Sequence, residues 1–167
     1  MKTAIILDLD NTLIDSQVLA PLRQSKRWPE CRANASKTLC FPDIQLTVSI
    51  LRAHGIPTGI VTSSPSVYAA HMLQHHGIGY DKLIAYHDVG RRKPHPEAIY
   101  KCLEALKADA SACIGVGDQI IDVQAYKAGG LTAWGAGWSP HLETLEGWDR
   151  VAASPVELLA EFGLSAR

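Results

Sequence analysis

With 167 residues, 47% of them hydrophobic, the chain has the size and apolar share of one soluble globular domain. A formal net charge of −1 excludes a global field directed at nucleic acid or an anionic membrane, and no stretch approaches the roughly 20 apolar residues of a membrane span. Cys31, Cys40, Cys102 and Cys113 form no CxxC pair and are expected as reduced thiols; with an N-terminal apolar run broken by acids, they point to the cytoplasm.

The first predicted element is the run Thr3-Ala4-Ile5-Ile6-Leu7, which reads as a buried parallel strand. It ends on Asp8, and Asp10 and Thr12 follow in Asp8-Leu9-Asp10-Asn11-Thr12-Leu13. Carboxylates this close repel unless a cation or a shared proton relieves them. Open α/β sheets bind ligands at the carboxyl ends of their strands, so the pair reads as one half of a metal-assisted catalytic site.

Residues 16–42 break the rhythm, with Pro21, Pro29 and Pro42, poor periodicity, and Arg23, Lys26, Arg27, Arg32 and Lys37 against the single acid Glu30. They read as a locally basic insertion. Beyond it, Asp43 can cap a helix carrying Ile44, Val48 and Leu51 and stopped by Gly55. Strand-like runs at 57–62, 83–86, 112–116 and 131–134 alternate with helices opening at Ser64-Pro65 and at His95-Pro96, and over 119–128. Ser154-Pro155 starts a last helix with Leu158, Leu159 and Phe162. Strict alternation predicts an α/β fold, a doubly wound parallel sheet in a Rossmann-like three-layer sandwich.

Three more groups fall at strand ends. Thr62, Ser63 and Ser64 precede a helix, where hydroxyls and free N–H groups can seat a phosphate or merely cap the helix. Lys93 lies in Gly90-Arg91-Arg92-Lys93-Pro94-His95-Pro96-Glu97, a tract that alone reads as a solvated loop. In Gly117-Asp118-Gln119-Ile120-Ile121-Asp122 a helical turn would put both carboxylates on one face, although Asp118 alone serves equally as a cap. Together they change the reading. Two acid pairs, a hydroxyl and a lysine at one sheet edge require Mg²⁺, an oxygen-seeking cation, and suit a phosphoryl group whose charge spreads over three oxygens.

In this order the motifs resemble the haloacid dehalogenase superfamily, specifically its phosphatase branch: Asp8-x-Asp10-x-Thr12, Thr62, Lys93-Pro94 and Gly117-Asp118-x-x-x-Asp122. Trp134-Gly135 is similar to phosphoglycolate phosphatase-like members, and the likeness covers roughly residues 1–15 and 43–165. The resemblance implies that Asp8 attacks phosphorus, forms an aspartyl-phosphate and ligates Mg²⁺. It implies that Asp10 protonates the leaving oxygen, then deprotonates the hydrolytic water, its main-chain carbonyl also ligating the metal. Asp118 is implied as a metal ligand, Asp122 as a direct or water-mediated one, and Thr62, Ser63 and Lys93 as the phosphate-binding groups. True dehalogenases lack the acid at the position of Asp10, which disfavours dehalogenation.

The capped branch carries a several-helix domain where this chain has about 27 residues. A single hydrolase domain over residues 1–167, with a minimal cap at 16–42, is therefore expected. A substrate specificity set by a cap does not transfer, and a mutase, which needs an enclosed intermediate, is disfavoured. The expected activity is hydrolysis of a phosphomonoester. The alternatives are a macromolecular phosphate (protein or nucleic-acid end) as substrate, or a non-catalytic module retaining the fold. A receiver domain would place its lysine last, after the acids, and does not fit. The expected partner is a phosphorylated substrate of unstated size, with no membrane, nucleic acid not favoured and an oligomer possible. His95 and His141 read as caps or loop residues, with His95 near enough to Lys93 to reach the site, and Trp28 as packing anchor or substrate platform.

Overall fold

The computed structural model describes residues 1–166. In chain order the elements are β1 (Ala4–Leu7), β2 (Ile14–Asp15), α1 (Ala20–Gln24), α2 (Trp28–Ala33), β3 (Leu39–Cys40), α3 (Ile44–Ala53), β4 (Thr58–Val61) and α4 (Ser66–His75). They continue with β5 (Lys82–Ile84), α5 (Glu97–Leu106), β6 (Cys113–Gly117), α6 (Ile120–Ala128), β7 (Thr132–Ala136), β8 (Arg150–Ala152) and a 3-10 segment over Pro155–Phe162. Six strands form one sheet in the order β5-β4-β1-β6-β7-β8, with every pairing parallel. The expected doubly wound α/β architecture is present.

The winding explains where ligands can bind. The chain runs outward from β1 through β4 to β5, crosses back to β6 on the other flank of β1, and continues to β7 and β8. A crevice therefore opens between the carboxyl ends of β1 and β6, where Asp8 and Asp118 leave the sheet.

Side chains alternate across the strands, so each face needs its own cover. Ile5 and Leu7 of β1 and Ile60 of β4 pack with Val48 and Leu51 of α3, Met72 and Leu73 of α4, and Leu158, Leu159 and Phe162 of the last segment. Ala4, Ile6 and Val61 face the other way, onto Ile99, Cys102 and Leu103 of α5 and Val123 and Tyr126 of α6. Two glycines set the spacing of this second layer. A Cβ on Gly59 would lie 2.3 Å from Cys102 Sγ, and one on Gly115 would lie 2.5 Å from the Tyr126 ring. The four cysteines are free, and burial pushes the thiols of Cys102 and Cys113 up to about 12.

The structure corrects several sequence expectations. Asp43 does not cap α3 with its side chain; it sits at φ 63, a left-handed turn residue. The last helix is 3-10 rather than α. The edge strand β8, three residues long, is too short to give a periodic signal. Residues 16–42 hold two short helices, and the antiparallel pair β2–β3 ties their base together (Ile14 opposite Cys40). Leu19, Cys31 and Ala35 of this insertion are buried in the same cluster as α3 and α4, so it is packed onto the domain rather than loose.

Candidate active site

Asp8 is placed by β1, its N–H donating to Val116 O at 2.9 Å across the β1–β6 gap. The chain then turns sharply. Asn11 takes φ 61, a left-handed conformation that asparagine tolerates better than most residues, and its N–H donates to Ile14 O at 2.7 Å. Trp138, beyond β7, donates from Nε1 to Thr12 O at 2.8 Å and holds this turn from the far side. Thr12 is thereby placed under the site, its hydroxyl 2.9 Å from Asp118 Oδ1 and 3.3 Å from Asp8 Oδ2.

Lys93 is the one ammonium at the centre, and it is buried. Its Nζ donates to Asp8 Oδ1 at 2.8 Å, to Asp122 Oδ1 at 2.5 Å and to Val61 O at 3.2 Å, which uses all three protons. The other oxygen of Asp122 accepts the N–H groups of Asp118 (3.1 Å) and Gln119 (3.0 Å). Gly117 makes room for this arrangement, since a Cβ there would fall 2.6 Å from Asp122 Oδ2. Asp118 is not the cap of α6; Gln119 occupies that position.

Asp8, Asp118 and Asp122 offer oxygens within 4.8 Å of one another, all buried. Three carboxylates against one ammonium leave a surplus of negative charge that the protein does not neutralise. The titration behaviour follows. Burial first, then the negative charge of Asp122, raises Asp8 to about 6, against the opposing pull of Lys93. Burial, then Asp8 and Asp122, raises Asp118 from 3.8 to about 9. Burial disfavours the charge on Lys93, but Asp122 and Asp8 outweigh it and hold the ammonium protonated. A buried, all-oxygen set with excess negative charge fits a hard divalent cation, and Asp8 and Asp118 carry the oxygens least used by the protein itself.

Asp10 stands apart from this trio. Its Oδ1 accepts the hydroxyls of Ser16 (2.7 Å) and Tyr68 (2.6 Å), its Oδ2 accepts Ser64 Oγ (2.9 Å), and Arg23 Nη1 lies 3.6 Å from Oδ2. These partners come from the turn after β2 (Ser16), from α1 (Arg23), from the loop between β4 and α4 (Ser64) and from α4 (Tyr68), so no local pattern announces their convergence. The sequence reading missed Tyr68, although its place on the buried stripe of α4, four residues before Met72, is a signal that could have found it.

A cavity of about 390 Å³ joins these parts, bounded by Asp8, Asp10, Thr62, Ser63, Lys93 and Asp118, with Arg23 and Gln17 from the insertion. Thr62 is buried and accepts Ser64 N–H at 3.1 Å, whereas Ser63 is exposed at the mouth. All seven residues singled out as site candidates are thus brought to one sheet edge, with Asp122 just behind the wall. His95 does not reach it, its Nδ1 accepting Glu97 N–H at 3.1 Å, and His141 pairs with Asp15 at 3.1 Å. Of the insertion's basic residues, Arg23 lines the cavity, and Arg27 is engaged with Glu30 on the surface.

Residues 23–130 match the family model for haloacid dehalogenase-like hydrolases. The chain belongs to that family. Phosphoglycolate phosphatase of Yersinia pseudotuberculosis is 34% identical over 97 residues, which is 57% of this chain and 42% of that protein. The Escherichia coli phosphoglycolate phosphatase is 33% identical over 100 residues, 59% of this chain and 40% of its own length. The match thus spans less than half the length of these curated relatives. Among solved structures, CbbY from Rhodobacter sphaeroides in complex with phosphate superposes with a TM-score of 0.83 at 18% identity, over 98% of this chain and 100% of that one. A family hydrolase from Deinococcus radiodurans, with bound phosphate and sodium, gives 0.80 at 22% identity over 97% and 95%. These likenesses extend the fold assignment to nearly the whole chain, including both flanks of the matched family region. No helix among the described residues is long and apolar enough to cross a membrane.

Proposed function

We propose that this domain hydrolyses phosphomonoesters through an aspartyl-phosphate on Asp8, with Mg²⁺ held by Asp8, Asp118 and the main-chain carbonyl of Asp10. The observation that carries the reading is the bridge from Lys93 to both Asp8 and Asp122, beside a third carboxylate and at the buried end of a cavity that Asp10 and Thr62 share. When bound, the cation supplies charge neutralisation for the carboxylates and the phosphoryl oxygens.

The residues divide the work as follows. An oxygen of Asp8 attacks phosphorus while the bond to the leaving oxygen breaks, and Asp10 gives that oxygen a proton. The positive charge of Lys93 offsets the charge spread over the equatorial oxygens, with its proton to Asp8 or Val61 O free to turn toward them, and the hydroxyls of Thr62 and Ser63 donate to them. Asp10, now ionised, takes a proton from water, which attacks phosphorus and releases Asp8 and inorganic phosphate. Asp122 is a positioning residue: both its oxygens are occupied, one by Lys93 and the other by backbone N–H groups, so it fixes the lysine. Substrates of the phosphoglycolate class belong to this proposal, on the strength of the relatives' names alone.

The test is phosphate release from a panel of phosphomonoesters with Mg²⁺ and with excess chelator. Activity should require the metal, and Asp8→Asn should lose more than about a thousandfold, some 4 kcal/mol of barrier. Full activity in either the chelator or the variant would refute the proposal.

A further inference from the structure

A second cavity, of about 480 Å³, adjoins the phosphoryl site and shares Arg23 and Ser63 with it. Its character is different. Three aromatic rings line it, Trp28 from α2 and Tyr86 and His87 from the loop after β5, and the charged side chains on its wall are Arg23 and Lys26, with no carboxylate. Two of the rings are held in place. Trp28 packs against Tyr68 with centroids 5.3 Å apart at 51°, and Tyr86 lies under the Arg92 guanidinium, 3.6 Å from its centroid, with His87 edge-on at 4.8 Å. Arg23 is not satisfied by the protein: its Nε is buried without a partner, and its Nη1 reaches Asp10 only at 3.6 Å.

In the hydrolase reading the phosphate sits by Asp8, Lys93 and Ser63 with its ester oxygen toward Asp10, and Arg23 and Ser63, shared by the two cavities, give the substituent beyond that oxygen a way into the second one. A leaving group as small as glycolate would not fill the space beyond them. We infer that the preferred substrate is a small phosphomonoester whose leaving group carries an aromatic ring with an anionic substituent. The ring lies against Trp28 and Tyr86, and the substituent meets Lys26 and Arg23. Flat faces stack on aromatic walls at low entropic cost, and a wall with cations and no acid attracts a second negative charge. The inference rests on the hydrolase reading above and adds the substrate class to it.

Matched substrates isolate each part. Benzyl phosphate and cyclohexylmethyl phosphate differ in ring flatness with similar leaving alcohols, and 4-carboxybenzyl phosphate adds the anion. Wild-type kcat/KM should favour benzyl over cyclohexylmethyl about tenfold (~1.4 kcal/mol), and 4-carboxybenzyl over benzyl by a further factor of about ten. The first ratio should fall to about one in Trp28→Leu and persist in Trp28→Phe. The second should collapse in Lys26→Gln, an exposed position where folding is not at stake. The same ratios should appear in the dissociation constants of the corresponding phosphonates, measured by calorimetry with Mg²⁺ present. Turnover with flat ratios, or ratios unmoved by these variants, would overturn the inference and leave the hydrolase reading intact. Absence of any turnover, phosphoglycolate included, would strike the hydrolase reading instead. The phosphonate affinities then decide the cavity's chemistry alone, equal affinities overturning it.

Discussion

Asp118→Asn tests the surplus negative charge at the centre of the site, because it replaces an ionisable carboxyl by a permanently neutral amide while keeping the shape and an acceptor for the Thr12 hydroxyl. Burial and the two neighbouring aspartates raise Asp118 from 3.8 to about 9 in the folded, metal-free protein. Because the folded value lies above the unfolded one, this group favours the fold fully only below about pH 4. That contribution is lost as pH rises toward 9. At pH 8 the wild-type protein must hold a proton that the unfolded chain has released, a cost with a ceiling on the order of 5 kcal/mol. With the effective dielectric of about 20 that describes real buried sites, the expected net gain from the amide is about 2–3 kcal/mol. For a chain of this length that corresponds to a rise in Tm of roughly 4–10 °C. Thermal melts in chelator at pH 5 and pH 8 check it: the variant should be the more stable protein at pH 8, with the advantage mostly gone at pH 5. It should also lose the response to Mg²⁺. A variant less stable than wild type at both pH values would refute the assignment of uncompensated charge to this trio.

The same proton linkage predicts that Mg²⁺ stabilises the wild-type protein more at pH 8 than at pH 5, because the cation must displace protons from Asp118 and Asp8. At a hundredfold excess over its dissociation constant the gain at pH 8 should be about 2.7 kcal/mol, read by thermal melts with and without the metal. Gly117→Ala should push Asp122 off Lys93, since the new Cβ falls 2.6 Å from its carboxylate; a loss of about 1–3 kcal/mol in denaturant titrations and at least about tenfold in kcat is expected. Tyr68→Phe removes one of the three hydroxyls that hold the Asp10 carboxylate. It should slow alkyl phosphates, whose departing oxygen needs a proton, more than aryl phosphates, and equal losses would show that Tyr68 does not position the acid.

How far the sequence carries depends on whether a residue's role is local. Asp8, Thr62 and Asp118 were legible because each sits where an apolar strand ends, and parallel strands must bring such ends to one edge; Lys93, nine residues beyond β5, was legible only through its place in the set of motifs. The first five strands of the sheet and α3 to α6 were legible from their apolar runs and end signals, and the edge strand β8, three residues long, was not. Residues 16–42 were not, since their helices of five and six residues are too short for periodicity to show. The surroundings of Asp10 were hidden for a different reason. Ser64 and Tyr68 reach Asp10 because β4 lies beside β1, and Ser16 because the chain turns back after β2, side-chain meetings that no spacing encodes. Asp43 misled because a helix-capping residue type also tolerates the left-handed turn it actually occupies.

Covalent phosphorylation of Asp8 can be trapped directly. An acyl phosphate is open to attack by hydroxylamine at carbon, which leaves a hydroxamate where the carboxylate was. The protein, turning over its best substrate with Mg²⁺, should be quenched into hydroxylamine, digested and read by mass spectrometry. A hydroxamate is expected on Asp8 alone, absent without substrate and absent in Asp8→Asn. Sustained turnover with an unmodified Asp8, or a hydroxamate on another carboxylate, would contradict that expectation.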